Sequence, residues 1–481
     1  MPSASPLPAL LELLTQSVNI LSARYTSAGH NLPSLDAPLV KDDPAEAFRL
    51  SDPEVVDATQ RIVAAASQII ACVRDPTVGV IQGGHSYNVS ACLRAASELN
   101  VPEILREAGE DGASAETIAS YSGTDPALVA RVLRLLTTHQ IFLEVKPGVF
   151  ANNRISSTLD KGKSPKDLFD KPNERFSEAQ SGSAAHVEFL GDEVFRCASV
   201  LSDTMREPES QRQLPLIRAW NLQPNSNLFA FLETSPARLG RFAMAMHGSV
   251  TSNTFKGGYP WAELAKPGER KVVVDVGAGI GAYVMGVAKE VLATGNGGEV
   301  EFVVQDREKT VEKARKYWEE RIPHYVEKGL VKFEAQDFFT QQPSRTSPVA
   351  VFVLRHVLHN WSESKSTLIL QHLRAAASPD TQLLIIDRVV RPASRAESID
   401  PEALKNIPGA AMDPAPAPLL PNWGLAAEAN YHYDMAMHNL LGATERTVDG
   451  FVALLKRAGW RLERIYRGPQ SSNLVARPIP V

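Results

Sequence analysis

The sequence predicts an α/β protein, a doubly wound and largely parallel sheet preceded by a mostly helical N-terminal region. Three observations carry that reading. From residue 271 onward, short apolar runs alternate with helical stretches: "KVVVDVG", "VEFVVQD", "LVKFEAQD", "VAVFVLR" and "QLLIIDRVV", closed by "RLERIYRG" and "SNLVARP". Apolar runs of that kind, separated by helices, are what strands buried on both faces require. The first run leads straight into a glycine-rich turn at 277–281 and then a helix. Before residue 250 the alternation is absent, and apolar residues recur at helical spacing instead.

Taken in order, residues 7–29 and 53–74 each carry a helical stripe. Leu10, Leu11, Leu14 and Val18 form the first; Val55, Ile62, Ala66 and Ile69 form the second. The stretch between them, "GHNLPSLDAPLVKDDP", has the Pro and Asp of a loop. Another helix is expected near 88–107. In the following "SAETIASYSGTDPALVARVLRLLTTHQIFLEVKPGVFAN", Ser114 reads as a helix cap, Gly123 as a break and Asp125-Pro126 as the next start. "IFLEV" and "VF" flank Pro147-Gly148 as a hairpin. Helix, turn, helix and hairpin make a winged-helix pattern. Its second helix offers Arg131 and Arg134 among mostly apolar residues, whereas a recognition helix presents several polar or basic side chains to a groove. Packing or dimerisation is therefore expected, not nucleic-acid binding.

Residues 151–182 are polar and rich in Pro, Gly and Lys, and read as a loop or linker. From 183 to 250 the pattern is helical again, with Met244 and Met246 as apolar fillers of that region. Between Arg391 and Asn430 a Pro/Ala-rich excursion leaves the sheet. The expected division is a helical extension at 1–75, a winged-helix-like dimerisation domain with linker at 76–182, and a helical cap plus sheet domain at 183–481.

Composition narrows the function. Fifty basic and 55 acidic residues give a formal net charge of −5, which provides no general attraction to nucleic acid or anionic lipid. Cys72, Cys92 and Cys197 are odd in number and widely spaced, unlike a disulfide framework or zinc site. No basic region precedes an apolar core at the start, and no apolar run approaches membrane-spanning length. A cytoplasmic protein without membrane partners is expected.

The chemistry gathers after the strands. Gly277, Gly279 and Gly281 are spaced G-x-G-x-G, with Asp275 at the end of the strand before them. Asp306 closes the next strand, where a ribose diol can donate to it, and Asp337 follows the third. No Lys-Ser/Thr follows the glycines, so a phosphate-cradling loop is not expected. Three acids at successive strand ends favour a nucleoside site.

At this point the chain resembles the S-adenosylmethionine-dependent O-methyltransferases of the plant caffeic-acid type and their fungal secondary-metabolism relatives, over roughly residues 85–480. The matching motifs are "VVDVGAGIGAY", "VVQDRE", "AQDFF", "LRHVLHNWSE", "LLIIDRVV" and "GATERTVDGFVALLKRAGW". The resemblance implies a Rossmann-like methyltransferase domain, a winged-helix dimerisation module, S-adenosylmethionine as cofactor, a homodimer and a small aromatic substrate. It places the glycine turn under the methionine part of the cofactor, Asp306 on the ribose, and Asp337 and Phe338 beside the adenine, with Asp275 among the cofactor-binding residues. Arg355, where this family often has Lys, and Trp361 are implied as further cofactor contacts. Met246, Asn360, Met435 and Asn439 are implied as substrate contacts, with Asn360 replacing the usual Asp. The catalytic base falls on His359, with Asp387 and Glu445 as the acids that orient it.

The reaction can be argued separately. A phenol, with pKa near ~10, is a poor nucleophile until a neutral histidine takes its proton, and an acid on the far imidazole nitrogen supports the cation that forms. In "RHVLHNWSE" two histidines stand three positions apart; His356 is read as a neighbour of the base. No third ligand follows at suitable spacing, so no metal is expected. The alternative is a related protein that binds the cofactor without transferring its methyl group, and catalyses a dehydration or pericyclic rearrangement.

Overall fold

Aspartates start several helices of the N-terminal region. Asp43, Asp52, Asp75 and Asp125 each accept a hydrogen bond from a backbone N–H of the first turn, with proline at the first helical position. That pairing satisfies one orphan donor and pre-sets φ for the helix. The helices so begun are Pro44–Ser51, Pro53–Val73, Pro76–His85 and Pro126–Thr138. The computed structural model describes residues 5–177, 182–208, 211–251, 258–264, 271–293, 300–395, 404–411, 414–468 and 470–480, without the side chains of 247–251. Two compact units emerge: Met1–Ser252 with Pro416–Ala426, and Asn253–Ala415 with Ala427–Val481.

The helical unit contains the expected winged module. Ser114 accepts from the Thr117 N–H, and Gly123 ends that helix in the left-handed region at φ 67°. Strands β1 (Ala113–Ser114), β2 (Leu143–Lys146) and β3 (Val149–Ala151) form a small sheet in the order β1-β3-β2. The second helix buries Val129, Leu133 and Leu136 and leaves Arg131, Arg134 and Leu128 outside. The helix expected at 88–107 is two, Tyr87–Glu98 and Val101–Ala108, because Asn100 takes a left-handed backbone at φ 53° between them.

Residues 151–177 depart from the linker reading, which over 178–181 lies outside the described residues. Lys161 is fully buried, donating to the Ser97 carbonyl at 2.9 Å and to Asn100 Oδ1 at 3.3 Å beside the buried Glu103 carboxylate. Asn152 donates to the Pro102 carbonyl at 2.7 Å. Polar residues are buried here because each has partners, which composition alone does not reveal. Residues 183–252 also belong to the helical unit instead of the sheet-bearing one. Arg94 reaches Asp192 at 2.8 Å and Arg241 reaches the same acid at 3.0 Å, joining that stretch to the earlier helices. The later excursion returns to this unit as well: Gln68 clamps residues 418–420, donating to the Pro418 carbonyl and accepting from the Leu420 N–H.

In the second unit, strands β4 (Lys271–Val276), β5 (Val300–Asp306), β6 (Val331–Ala335), β7 (Val349–Arg355), β8 (Gln382–Asp387), β9 (Trp460–Tyr466) and β10 (Ser472–Pro478) form one sheet. The order is β6-β5-β4-β7-β8-β10-β9, parallel from β6 to β8, with β10 antiparallel to both neighbours. Alternate residues feed opposite faces. Val272, Val274, Phe352 and Leu354 pack with Ile369, Leu373 and Phe451. Val273, Phe302, Val351 and Val353 pack with Val284, Ala288 and Trp318 on the other side. The doubly wound architecture is thus as expected. The chain moves outward from β4 to β6, then returns to β7 on the far side of β4. That reversal opens a crevice at the carboxyl ends of β4 and β7, the place where open α/β sheets bind ligands.

Candidate active site

Beyond β4 the chain turns through three left-handed glycines, Gly277, Gly279 and Gly281, at φ 71°, 59° and 71°. Only glycine takes such angles freely. A Cβ at Gly281 would stand 2.7 Å from the Trp318 indole nitrogen, and one at Gly277 would stand 3.0 Å from Val357 and 3.4 Å from Phe338. At Gly279 the same position faces open space. Asp306, at the end of β5, accepts the Gly279 N–H at 2.8 Å and the Arg307 N–H at 2.7 Å. A carboxylate has about four acceptor positions, so a ribose diol can still be accommodated. Phe338, Phe339 and Trp361 meet edge to face, with ring centroids 4.8–5.9 Å apart, as an aromatic wall beside the turn. Asp337 accepts the Phe339 N–H at 3.0 Å and so fixes this wall. Asp275 is buried, and burial pushes it up to about 7 against the pull of Arg355, with Asp306 adding to the rise. Burial in turn lowers Arg355, which lies over the Tyr283 ring at 5.6 Å. These residues fit a nucleoside sulfonium: open backbone at Gly279, spare carboxylate acceptors and an aromatic border.

The end of β7 builds the other half. His356 takes a left-handed backbone, φ 51°, held from both sides. Its N–H donates to the Ile386 carbonyl at 3.0 Å, and its carbonyl accepts from the Asn360 amide at 2.9 Å. This sharp exit from the strand sets the two imidazoles beside each other, centroids 5.3 Å apart. His359 Nδ1 lies 2.8 Å from Glu445 Oε1, a direct hydrogen bond. His356 Nδ1 lies 3.6 Å from Asp387 Oδ1, and its Nε2 is 3.5 Å from the Ser471 hydroxyl. The two acids therefore divide between the two histidines. Glu445 orients His359 directly, whereas Asp387 acts on it through space.

Their electrostatics diverge accordingly. Burial alone lowers His359, but Asp387 and Glu445 together outweigh it and hold the imidazole above its ordinary value. For His356 burial wins: it falls to about 4 despite Asp387, with His359 adding to the depression. At neutral pH His356 is uncharged, and His359 is the better proton acceptor of the pair.

One residue absent from the expected set holds this half together. Arg446 is almost fully buried; it donates to the Leu358 carbonyl at 2.9 Å, the Trp361 carbonyl at 3.2 Å and Ser366 Oγ at 3.1 Å, and pairs with Glu363 at 2.7 Å. It thereby locks the segment carrying Glu445 onto the turn carrying His359. Asp434 assists by accepting the Glu445 N–H at 2.8 Å. The signal in the sequence was the charge adjacent to Glu445 in "TERT".

Among the expected substrate contacts, Asn360 uses its amide nitrogen on the His356 carbonyl. Met435 and Asn439 lie one turn apart on the helix Glu428–Leu441, which packs against the turn at 358–360. Asn439 is buried, its Oδ1 finding no hydrogen-bond donor among the described residues, while Met435 is substantially exposed. Met246 belongs to the helical unit, beside Phe176, Ala184, Ala185 and Ala245.

Two family models match this chain: an O-methyltransferase dimerisation domain over residues 82–162 and an O-methyltransferase domain over residues 264–405. An O-methyltransferase of Armillaria gallica is 35% identical, with 99% of this chain and 100% of that protein covered. The 4-O-methyltransferase 1 of Phanerochaete chrysosporium is 34% identical over 99% of this chain and 98% of its own length. Solved structures share the fold: OxaC in complex with SAH and oxaline (TM-score 0.64, 18% identity, 98% of this chain and 100% of that one) and LepI in complex with SAM (TM-score 0.65, 17% identity, 90% and 96%).

Proposed function

The chain belongs to the O-methyltransferase family, and from that premise we propose that it methylates a phenolic or other aromatic hydroxyl of a small molecule in secondary metabolism, with His359 as general base. The cofactor is S-adenosylmethionine, which when bound supplies an electrophilic methyl group on a sulfonium. The residues for it are the turn 277–281, Asp275, Asp306, Asp337, Phe338, Arg355 and Trp361. Asp306 is positioned to accept from the ribose, and the wall of Phe338 and Trp361 to border the adenine. The chain's own catalytic work is then alignment and proton removal. In-line placement of acceptor and donor contributes ~7–11 kcal/mol in favourable cases.

The hydrogen bond between His359 and Glu445 carries this reading. It occupies Nδ1, leaving Nε2 to take the hydroxyl proton, and it stabilises the imidazolium as the oxygen attacks. Asp387 adds its charge through space. The same fold serves a protein described as a pericyclic reaction enzyme (TM-score 0.65, 17% identity), so the fold does not decide the chemistry. A histidine hydrogen-bonded to one acid and lying in the field of a second supports proton transfer. Incubation with isotope-labelled S-adenosylmethionine and a panel of phenols should yield a product heavier by one methyl group. Cofactor binding without any methylated product would favour the rearrangement reading.

Among the described residues no helix is long and apolar enough to cross a membrane, and we read the chain as a cytoplasmic homodimer. Leu11, Val18, Val56, Val63 and Ile70 of the two long N-terminal helices are exposed in the single chain, and the dimerisation model matches the adjoining 82–162. Sedimentation at micromolar concentration should report about twice 52.4 kDa. A mass that stays at one chain as concentration rises would contradict it.

A further inference from the structure

Asp387 is an unusual carboxylate. It is fully buried at the end of β8, and among the described residues neither of its oxygens accepts a hydrogen bond within 3.5 Å, His356 Nδ1 standing 3.6 Å away. Leaving a buried carboxylate without donors is costly, and such groups ordinarily answer to an ion, a ligand or a water. What faces it is a pair of imidazoles. One ligand atom each from His356, His359 and Asp387 lies within 4.8 Å of the other two. Near "RHVLHNWSE" the sequence holds no third ligand, but the parallel pairing of β7 and β8 brings Asp387 to the two histidines.

We propose that His356, His359 and Asp387 form a binding site for a divalent transition-metal ion of zinc type, and that its occupancy silences the enzyme by taking the free lone pair of His359. Two imidazoles and one carboxylate suit Zn²⁺, Cu²⁺ or Ni²⁺ better than Mg²⁺, which prefers an all-oxygen shell. Three protein ligands leave a coordination position open, and small side-chain rotations bring ligand atoms now up to 4.8 Å apart to a common centre. An outer-shell partner is at hand: His359 Nδ1 lies 2.8 Å from Glu445, so an ion taken on Nε2 would leave the imidazole directed at a carboxylate, as metal-bound imidazoles ordinarily are. The binding half of the proposal is independent of the reaction; the silencing half rests on His359 being the base.

The test is a calorimetric titration of Zn²⁺ into the chelator-stripped full-length protein, repeated with Co²⁺ for its visible ligand-field bands and with millimolar Mg²⁺ as control. One site of micromolar affinity or better is expected for Zn²⁺, with none for Mg²⁺. His356→Asn keeps a residue that tolerates the left-handed backbone, and Asp387→Asn removes only the charge. Each should weaken Zn²⁺ binding by at least the ~10-fold that loss of an outer-shell partner costs. In the activity arm, Zn²⁺ should abolish methyl transfer and a chelator restore it, while the remaining activity of His356→Asn resists the same dose. Absence of Zn²⁺ binding to the wild type overturns the proposal whether or not the variants fold, as does unchanged affinity in folded variants. Tight binding in a protein that methylates no phenol would leave the metal site standing and remove the methylation reading.

Discussion

The two halves of the crevice are built by different means. The β4–β5 half is made of backbone: three left-handed glycines, and a carboxylate that bonds one of their amides from the next strand. The β7–β8 half is made of side chains brought from afar: His359 meets Glu445 across 86 positions of sequence, and His356 meets Asp387 from the adjoining strand. The first half offers backbone and Asp306 for binding, and its one carboxyl raised toward neutrality, Asp275, is buried within β4. The second carries the proposed base, His359, and adds Arg355 and Trp361 to the border of the proposed cofactor site. Binding and chemistry should therefore be separable by mutation.

The largest separation is expected in the chemical half. His359→Ala should lower kcat by about 10²–10⁴-fold, the usual loss for a positioned base, while cofactor affinity stays near wild type. His356→Ala should cost far less. Product formation at saturating cofactor, with a calorimetric cofactor titration alongside, checks both. If the His356 variant were the inactive one, the roles of the two histidines would be exchanged.

In the binding half the converse holds. Asp306→Ala removes a charged acceptor, worth roughly 1.5–3 kcal/mol, and also frees the Gly279 amide. Cofactor affinity should fall at least about tenfold, with the methylation rate at saturation much less affected. An unchanged dissociation constant in the folded variant would take Asp306 out of the cofactor site. Smaller again, Gly277→Ala must force a Cβ against Val357 and Phe338 in addition to its left-handed backbone, whereas Gly279→Ala carries only the backbone cost of about 1–2 kcal/mol. Cofactor titrations should rank them in that order; equal effects would mean that the contacts at Gly277 relax without cost.

The same contrast explains what the sequence disclosed. The glycine turn, Asp306 and Phe338 lie in contiguous stretches whose strand and helix periodicity is local, so both their place and the sheet around them were legible. So were the winged module and its capping residues Ser114 and Asp125. The partnership of acids with histidines was only half legible. "LRHVLHNWSE" and "TERT" pointed to His359 and Glu445, but Asp387 sits nearest His356, because the left-handed exit at His356 turns that ring toward β8. Arg446 escaped notice because its role depends on two backbone carbonyls and a serine hydroxyl some 80 or more positions away in the sequence. Lys161 was misread for a similar reason: its burial depends on partners at Ser97, Asn100 and Glu103.

The central claim is that His359 accepts the proton and is tuned for it by Glu445, and the pH dependence of kcat tests it most directly. His359 must be neutral to act. Its acids hold it above its ordinary value of 6.5 in the folded protein, so the rate should be full on the alkaline side and be lost as pH falls through that raised value. Glu445→Gln removes one source of the elevation while keeping shape and a hydrogen-bonding group. Its acid limb should move to lower pH, with a reduced plateau because the imidazolium is less well supported. An acid limb at the same pH in wild type and Glu445→Gln, or a rate independent of pH from 6 to 9 in both, would contradict the account.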